Sequence, residues 1–204
     1  GVAERGDRFG YSLTYEQVFT PSDGTLAIGV PFENIRSVVN AGMVHLLSIG
    51  LTSRAAINQD SPGIIGVAEP GDRFGLVLNA ARHTGADDGV DVIVGIPFEN
   101  IGAVVNAGAA QVFPATSPTS DFAFNQNSPG VVGEPEPGDR FGWAVDAAGT
   151  DDEDLLVGVP FDAQFSTGEA FVIPFDGAAP VQLLPGAGGI PATGAVSFGG
   201  AVAG

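Results

Sequence analysis

Gly-Asp-Arg-Phe-Gly, at residues 6–10, 71–75 and 138–142, is the stretch of sequence that decides the fold. The three copies stand 65 and 67 residues apart, and each is followed by an apolar run that ends in Gly-X-Pro. These runs end at Pro31, Pro97 and Pro160. Motifs that recur in the same order at such a period indicate a row of similar units, each of which buries its apolar faces against its neighbours.

Each repeat unit is predicted to consist of four short β-strands. The chain of 204 residues contains 31 Gly and 15 Pro, and these residues disfavour helices because an interior Gly costs about 1 kcal/mol and an interior Pro about 3 kcal/mol. Short apolar runs alternate instead with turn-forming clusters of Gly, Pro, Asn and Asp. The predicted strands are 11–14, 26–30, 43–48 and 55–58 in the first unit, 76–79, 92–96, 109–113 and 122–125 in the second, and 143–145, 155–159, 170–175 and 181–184 in the third.

This pattern predicts an all-β fold made of β-propeller blades with four antiparallel strands each. The second strand of each unit is almost entirely apolar, which is typical of a strand that is covered on both faces. A β-sandwich and a β-solenoid are the alternative architectures. Solenoid coils usually have a shorter period than this repeat, so the propeller is the preferred interpretation.

Residues 1–204 are predicted to form a single β-propeller region. Blade one is expected at about 6–70, blade two at about 71–137 and blade three at about 138–193, and the opening strand of a fourth unit at about 194–204, where Phe198-Gly199 resembles the earlier Phe-Gly pairs. Three blades and one strand cannot close a ring, and they would leave open sheet edges. We therefore expect either a covalent continuation in a longer parent chain or a homo-oligomer that completes the ring.

Composition excludes several classes of function. The chain carries 24 acidic residues against 7 basic residues, all of them Arg, and its net charge is −17. A nucleic-acid partner is therefore not expected, because phosphate contacts need a basic surface. Cys is absent, which excludes disulfides and zinc–thiolate sites. The apolar runs are too short to predict a membrane span, and no Gly-X-Ser-X-Gly motif of a serine hydrolase occurs.

With these motifs the chain resembles the FG-GAP repeat family, which forms the β-propeller of integrin α-subunits and of secreted bacterial proteins with tandem blades. The residues that carry the resemblance are Phe9, Gly10 and Pro31, then Phe74, Gly75 and Pro97, and finally Phe141, Gly142 and Pro160. The resemblance implies that the first strand of each blade starts at Phe-Gly and lies innermost. It also implies about seven blades in a closed ring, and a secreted or cell-surface location.

The resemblance further implies calcium sites in the hairpins between the first and second strands, where family members use Asp and Asn at alternating positions. Calcium binds six to eight oxygen ligands, which such spacing supplies. The first unit has Gln17, Phe19, Pro21 and Thr25 at these positions, so it is not expected to bind metal. The candidate ligands are Asp87, Asp88 and Asp91 in the second unit and Asp151, Asp152 and Asp154 in the third. The alternative interpretation is a solvated acidic turn.

By the same resemblance, the loops between the second and third strands form a face for a protein or glycan partner. Its candidate residues are Glu33, Asn34, Glu99, Asn100 and Asp162. A structural role is the alternative, in which the Phe residues of these loops pack between blades and the acids cap turns; those residues are Phe32, Phe98 and Phe161. The Asp of each pentapeptide is expected to form a turn and to pair with the adjacent Arg, at Asp7, Asp72 and Asp139.

The leading functional hypothesis is a non-catalytic extracellular module for binding, adhesion or surface assembly. It depends on the repeat motifs and on the lack of a recognisable catalytic motif in the sequence. Two alternatives stay open: a ligand- or glycan-binding lobe of a larger secreted enzyme, and a calcium-dependent hydrolase.

Overall fold

The computed structural model describes residues 3–16, 24–48, 50, 52–81, 90–115, 122–148, 154–162, 164, 167–191 and 197–202. These residues form twelve β-strands. No helix occurs in the ranges just given, and therefore none that could cross a membrane. The predicted all-β class is confirmed.

The strands form three antiparallel sheets of four strands, and within each sheet the spatial order follows the chain order. Blade one comprises β1 (Leu13–Glu16), β2 (Thr25–Val30), β3 (Met43–Ser48) and β4 (Ser53–Ile57). Blade two comprises β5 (Val77–Ala81), β6 (Asp91–Ile96), β7 (Ala109–Pro114) and β8 (Phe122–Phe124). Blade three comprises β9 (Ala144–Ala148), β10 (Asp154–Val159), β11 (Glu169–Ile173) and β12 (Val181–Leu183). All twelve predicted strands are present, with bounds shifted by a few residues.

The blades pack face to face through two apolar cores, one at each junction. Phe74, Val92 and Val94 of blade two pack with blade one, while Ile93 of the same strand packs with blade three. Successive side chains of a strand point to opposite faces, so β6 contributes to both cores at once. This double burial is the physical reason for the continuous apolar run in the sequence.

The Phe-Gly pairs lie in turns before the first strands, not within them. The strands begin later, at Leu13, Val77 and Ala144, so the expectation that each strand starts at Phe-Gly was wrong. Phe74 forms a parallel bridge with Gly42 of the preceding blade, and Phe141 forms the same bridge with Gly108. These two Phe-Gly pairs therefore join each blade to the preceding one, and the first strand of the blade begins only after the pair.

The Gly of the second and of the third Phe-Gly pair contacts the Gly of Gly-X-Pro in the blade before it. A Cβ atom added to Gly29 would collide with the backbone carbonyl oxygen of Gly75, and one added to Gly95 would collide with that of Gly142. Only a residue without a side chain permits such an approach of two backbones. This contact explains why both motifs recur with their glycines in every unit.

The three Phe residues of the pentapeptides have different surroundings. Phe74 and Phe141 are fully buried, whereas Phe9 is 64% exposed. Phe9 packs on His45 of its own blade at 5.6 Å between ring centroids.

The start of the fourth unit docks on blade three in the same manner. A Cβ atom on Gly158 would collide with the carbonyl oxygen of Gly199, and the Phe198 amide donates a hydrogen bond to the Thr167 carbonyl at 2.6 Å. Residues 197–202 form turns and no strand. The joint of the fourth unit is thus present, but the predicted opening strand is not found in residues 197–202, and the remainder of its predicted range lies outside the described residues.

Candidate functional site

Three Arg side chains and three Phe rings alternate across the blades. The guanidinium carbon of Arg8 lies 4.4 Å from the ring centroid of Phe32. Arg73 lies 5.2 Å from Phe32 and 4.3 Å from Phe98. Arg140 lies 5.1 Å from Phe98 and 4.6 Å from Phe161. We call these six residues the aromatic–arginine ladder, because each inner Arg stacks on the rings of two successive blades.

The backbone fixes the Arg residues at the joints between blades. Arg8, Arg73 and Arg140 all adopt left-handed φ angles, of 57°, 58° and 61°. The Arg73 amide donates to the Asn40 carbonyl of the preceding blade at 3.2 Å, and the Arg140 amide donates to that of Asn106 at 3.3 Å. A cation over an aromatic ring contributes about 0.5–2 kcal/mol, with the larger values for desolvated pairs. The ladder therefore links the blades along one edge.

This arrangement corrects the expected pairing of each Arg with the Asp before it. The Asp72 carboxylate accepts a hydrogen bond from the Glu69 amide at 2.5 Å, and Asp139 accepts one from the Glu136 amide at 2.6 Å. Both Asp residues are turn-formers, as predicted. The neighbouring guanidinium groups lie over aromatic rings instead.

Further aromatic side chains extend the ladder to the surface. Trp143 meets Phe161 edge to face, with ring centroids 5.1 Å apart and an interplanar angle of 88°. The rings of Tyr11 and Phe32 are also in contact, with centroids 6.1 Å apart. Tyr11 is 51% exposed and Phe161 is 42% exposed. The ladder thus presents aromatic edges to solvent on a rigid support.

Beside the ladder, each blade buries carboxyl groups against the linker that precedes it, and we call these clusters the acidic seams. In blade two, Gln59 donates from Nε2 to Oε2 of Glu99 at 2.5 Å, and Asn100 donates from Nδ2 to Oε2 of Glu69 at 2.7 Å. Burial, followed by the charge of Glu99, raises the pKa of Asp72 to about 7. Burial also raises the pKa of Glu99. The seam therefore holds protons at pH values where free carboxyls are ionised.

Blade three has a related seam with a different set of side chains. Gln126 donates from Nε2 to Asp162 at 2.9 Å and to Glu169 at 3.3 Å, and Gln182 donates to Glu169 at 2.5 Å. Glu169 is fully buried. Burial raises the pKa of Glu169, and the adjacent Asp162 raises it further. In blade one, burial and the nearby Asp7 raise the pKa of Glu33.

The predicted partner-face residues lie in these seams, one set per blade. Glu33 is 9% exposed and Asp162 is 2% exposed, so neither offers a broad surface contact. Asn34 donates to Oε2 of Glu4 at 2.8 Å, and its own Oδ1 accepts from the Asn40 amide at 2.9 Å. Glu99 and Asn100 make the contacts described for blade two. These side chains hold the linker on the blade.

The predicted calcium ligands divide into two groups. Asp87, Asp88, Asp151 and Asp152 lie outside the described residues. Asp91 and Asp154 are the first residues of β6 and β10, and Asp91 is buried. Among the residues with a described position, no three His, Cys, Asp or Glu side chains group together as a metal site would require. Calcium binding in the two hairpins stays a prediction.

Sequence reasoning missed the ladder and the buried Gln residues. The signal for the ladder was the recurrence of Arg in each pentapeptide together with Phe after each Gly-X-Pro. The signal for the seams was Gln59 and Gln126, which stand at the same place in the two Asn-Gln linkers and are each 2% exposed. A Gln that recurs in a linker can serve as the hydrogen-bond donor that permits a carboxyl to be buried.

No family model matches the chain, and no curated protein matches it.

Proposed function

We propose that the chain is a non-catalytic binding module, secreted or held at the cell surface, which uses FG-GAP-type blades to present the aromatic–arginine ladder to a protein or glycan partner. Aromatic residues and Arg are the side chains most enriched at recognition surfaces. The blades behind them supply a rigid support, so few side chains would need to be ordered on binding.

The observation that carries the proposal is the exposure of the aromatic edges at both ends of the ladder. Tyr11 and Phe161 are about half exposed, whereas the inner ladder residues between them are partly buried. Trp143 lies directly beside Phe161. A sugar ring or an apolar side chain could cover these edges while its polar groups reach the Arg residues.

The charge distribution also favours the ladder as the surface that binds the partner. Three of the seven basic residues of the chain lie in the ladder, in a protein whose net charge is −17. Cations that are concentrated in one strip of an acidic protein give the partner a preferred orientation.

The only Trp of the chain provides the assay, because Trp143 belongs to this surface. A glycan and peptide array identifies ligands, and Trp fluorescence then reports their binding in solution. The Tyr11→Ala/Phe161→Ala variant should lose at least about tenfold in affinity, since hot-spot aromatics contribute 2 kcal/mol or more.

The matched control is Phe122→Ala, which removes another exposed aromatic ring, on β8. It should bind as the unaltered chain does. Equal affinity of the double variant and the unaltered chain would contradict the proposed surface. Turnover of any array ligand by the purified chain would contradict the non-catalytic assignment.

A further inference from the structure

We propose that the aromatic–arginine ladder binds an extended acidic peptide, with successive carboxylates of the peptide on Arg8, Arg73 and Arg140. This inference rests on the proposed function, since it names the class of partner for the same surface. The three guanidinium groups stand in one row across the blades, and a peptide with regularly spaced acidic residues offers the complementary charges.

The ladder cations have no carboxylate partner within the described part of the chain. There, the only ion pair of an Arg side chain joins Arg36 to Asp60, at 3.8 Å. The acids next to the inner ladder Arg residues, Asp72 and Asp139, accept hydrogen bonds from backbone amides instead. An Arg that no internal carboxylate neutralises can bind an external one, through two parallel hydrogen bonds.

Stacking on the rings leaves the hydrogen-bonding edge of each guanidinium free. A planar guanidinium that stacks on a ring keeps its N–H donors in its own plane. Nε of Arg73 and Nε of Arg140 are buried without an acceptor, whereas the terminal Nη groups are not among the fully buried, unpaired atoms of the described residues. Both side chains are partly exposed. The Nη groups are therefore the donors that an approaching carboxylate meets.

The spacing of the cations suits an extended peptide. The guanidinium carbons of Arg8 and Arg73 lie 4.4 Å and 5.2 Å from the centroid of Phe32, so their separation cannot exceed the sum of these distances. Arg73 and Arg140 stand in the same relation to Phe98, at 4.3 Å and 5.1 Å. A polyproline II peptide has three residues per turn and places every third side chain on one face about 9 Å apart. Glu at every third position can therefore reach successive Arg residues.

The rings favour a peptide over an acidic glycan. Phe32 and Phe98 each have two guanidinium groups over the ring, so their faces are not free to stack on sugars. The exposed edges of Tyr11 and Phe161 suit the rings of Pro residues, because aromatic-lined surfaces bind peptides in the polyproline II form. Such a peptide is already extended when free, which lowers the entropy that binding costs.

The net charge of −17 acts against an acidic peptide mainly at long range. At physiological ionic strength the Debye length is about 8 Å, so a bound carboxylate interacts chiefly with the cation that it contacts. Burial raises the pKa of Asp72, beside Arg73, to about 7. This neighbouring carboxyl is therefore only partly ionised at neutral pH, and its repulsion of the peptide is reduced.

The test uses a capped peptide of four Glu-Pro-Pro repeats and its Gln-Pro-Pro analogue, which has a similar shape without the charge. Neither contains Trp or Tyr, so the fluorescence of Trp143, whose ring lies 5.1 Å from the Arg140 guanidinium, reports binding to the full chain. We expect a Kd of about 0.1 mM for the Glu peptide and binding at least about tenfold weaker for the Gln peptide. A peptide of the same composition with its four Glu adjacent should bind at least about fivefold weaker.

Two variants each remove one cation from the ladder. Arg8→Gln and Arg73→Gln should each weaken binding of the Glu peptide at least about fivefold. The matched control is Arg54→Gln, which removes a positive charge from the outer strand β4 and should change Kd less than about twofold. Arg8 is exposed, so Arg8→Gln should melt close to the temperature of the unaltered chain. Lost binding by this variant then reports the missing cation and not a lost fold.

Equal affinity for the Glu and Gln peptides, or unchanged binding by both ladder Arg variants, would overturn the inference. Tighter binding of a uronic acid tetrasaccharide than of the Glu peptide would also overturn it, because the partner would then be an acidic glycan. If the Glu peptide fails to bind while Tyr11→Ala/Phe161→Ala loses the array ligand, the inference fails and the proposed function stands. If Arg8→Gln loses the Glu peptide while the double variant keeps every array ligand, the acidic-peptide site stands and the proposed aromatic contact fails.

Discussion

Replacing Asp72 with Asn tests whether the acidic seam between blades one and two holds a proton at neutral pH. Asp72 is 1% exposed, and burial together with the charges of Glu99 and Glu69 raises its pKa from 3.8 to about 7. Below the lower value the carboxyl is protonated in the folded and the unfolded chain alike. Between the two values the folded chain binds the extra proton, so stability falls as the pH rises and the loss is complete above pH 7.

The size of the effect follows from the same pKa values. A difference of one pKa unit corresponds to about 1.4 kcal/mol. The ionisation of Asp72 should therefore lower the free energy of unfolding by about 2.5 kcal/mol between about pH 5 and pH 7. For a chain of 204 residues, this loss corresponds to a decrease of about 5–10 °C in melting temperature. Asn cannot titrate, and its Oδ1 can still accept the hydrogen bond from the Glu69 amide. Asp72→Asn should therefore flatten the pH profile.

Calorimetry at a series of pH values measures these slopes. The net charge of −17 adds a slope of the same sign through general repulsion, so the comparison must be made with a control of equal charge. Asp176→Asn changes an exposed carboxylate and should leave the slope nearly unaltered. An Asp72→Asn profile as steep as that of this control would refute the reasoning.

Three further substitutions test the joints and the ladder. Arg73→Ala should lower the free energy of unfolding by about 1–3 kcal/mol in urea titrations, because two ring contacts are lost. The control is Arg36→Ala: the Arg36 side chain is 86% exposed, so its loss should lower the free energy of unfolding by less than about 0.5 kcal/mol. Equal effects of the two substitutions would contradict the ladder. Gly95→Ala should lower the free energy of unfolding by at least about 2 kcal/mol in thermal melts, because its Cβ atom meets a backbone carbonyl. Gly50→Ala should be nearly neutral, because its Cβ atom would meet only Oγ of Ser48, at an ordinary contact distance of 3.9 Å. Ser197 stands at the position of the ladder Arg residues in the fourth unit and has their φ angle, at 59°. Ser197→Arg should therefore raise the free energy of unfolding by about 0.5–2 kcal/mol through a new cation–ring contact. An unaltered melting temperature would contradict the extension of the ladder to this position.

The sequence predicted the blades well because their signals are local. The run from Val92 to Ile96 is apolar throughout, and it becomes the central strand β6, buried on both faces. Turn residues bound every such run, and the threefold repetition removes the ambiguity that a single unit would leave. The exact start of each first strand was less predictable, because it depends on where the joint with the preceding blade ends.

The ladder was not predictable from local chemistry. Asp72 and Arg73 are adjacent, so an ion pair is the natural expectation from the sequence. In the structure the Asp72 carboxylate accepts a hydrogen bond from the Glu69 amide, while Arg73 reaches rings of two different blades, Phe32 and Phe98. Contacts that join two blades depend on how neighbouring units are placed, which a single unit's sequence does not contain.

The partner-face hypothesis illustrates a similar limit. Glu33 and Asp162 are charged residues in loops, for which exposure is the usual expectation. Burial becomes possible only when the right donors come close, as Gln126 does for Asp162. The relevant distance in the sequence is 36 residues, too long for a motif to reveal.

The contact between Gly29 and Gly75 has a consequence for how such chains can grow. Since the two backbones meet without side chains, this contact requires only that both residues stay Gly. A duplicated gene segment that keeps both glycines would encode a unit able to make the same contact, as Gly199 already does with Gly158. At this contact, lengthening by tandem duplication therefore needs only the two glycines, and each added copy can diverge in the loops that lie away from the junction.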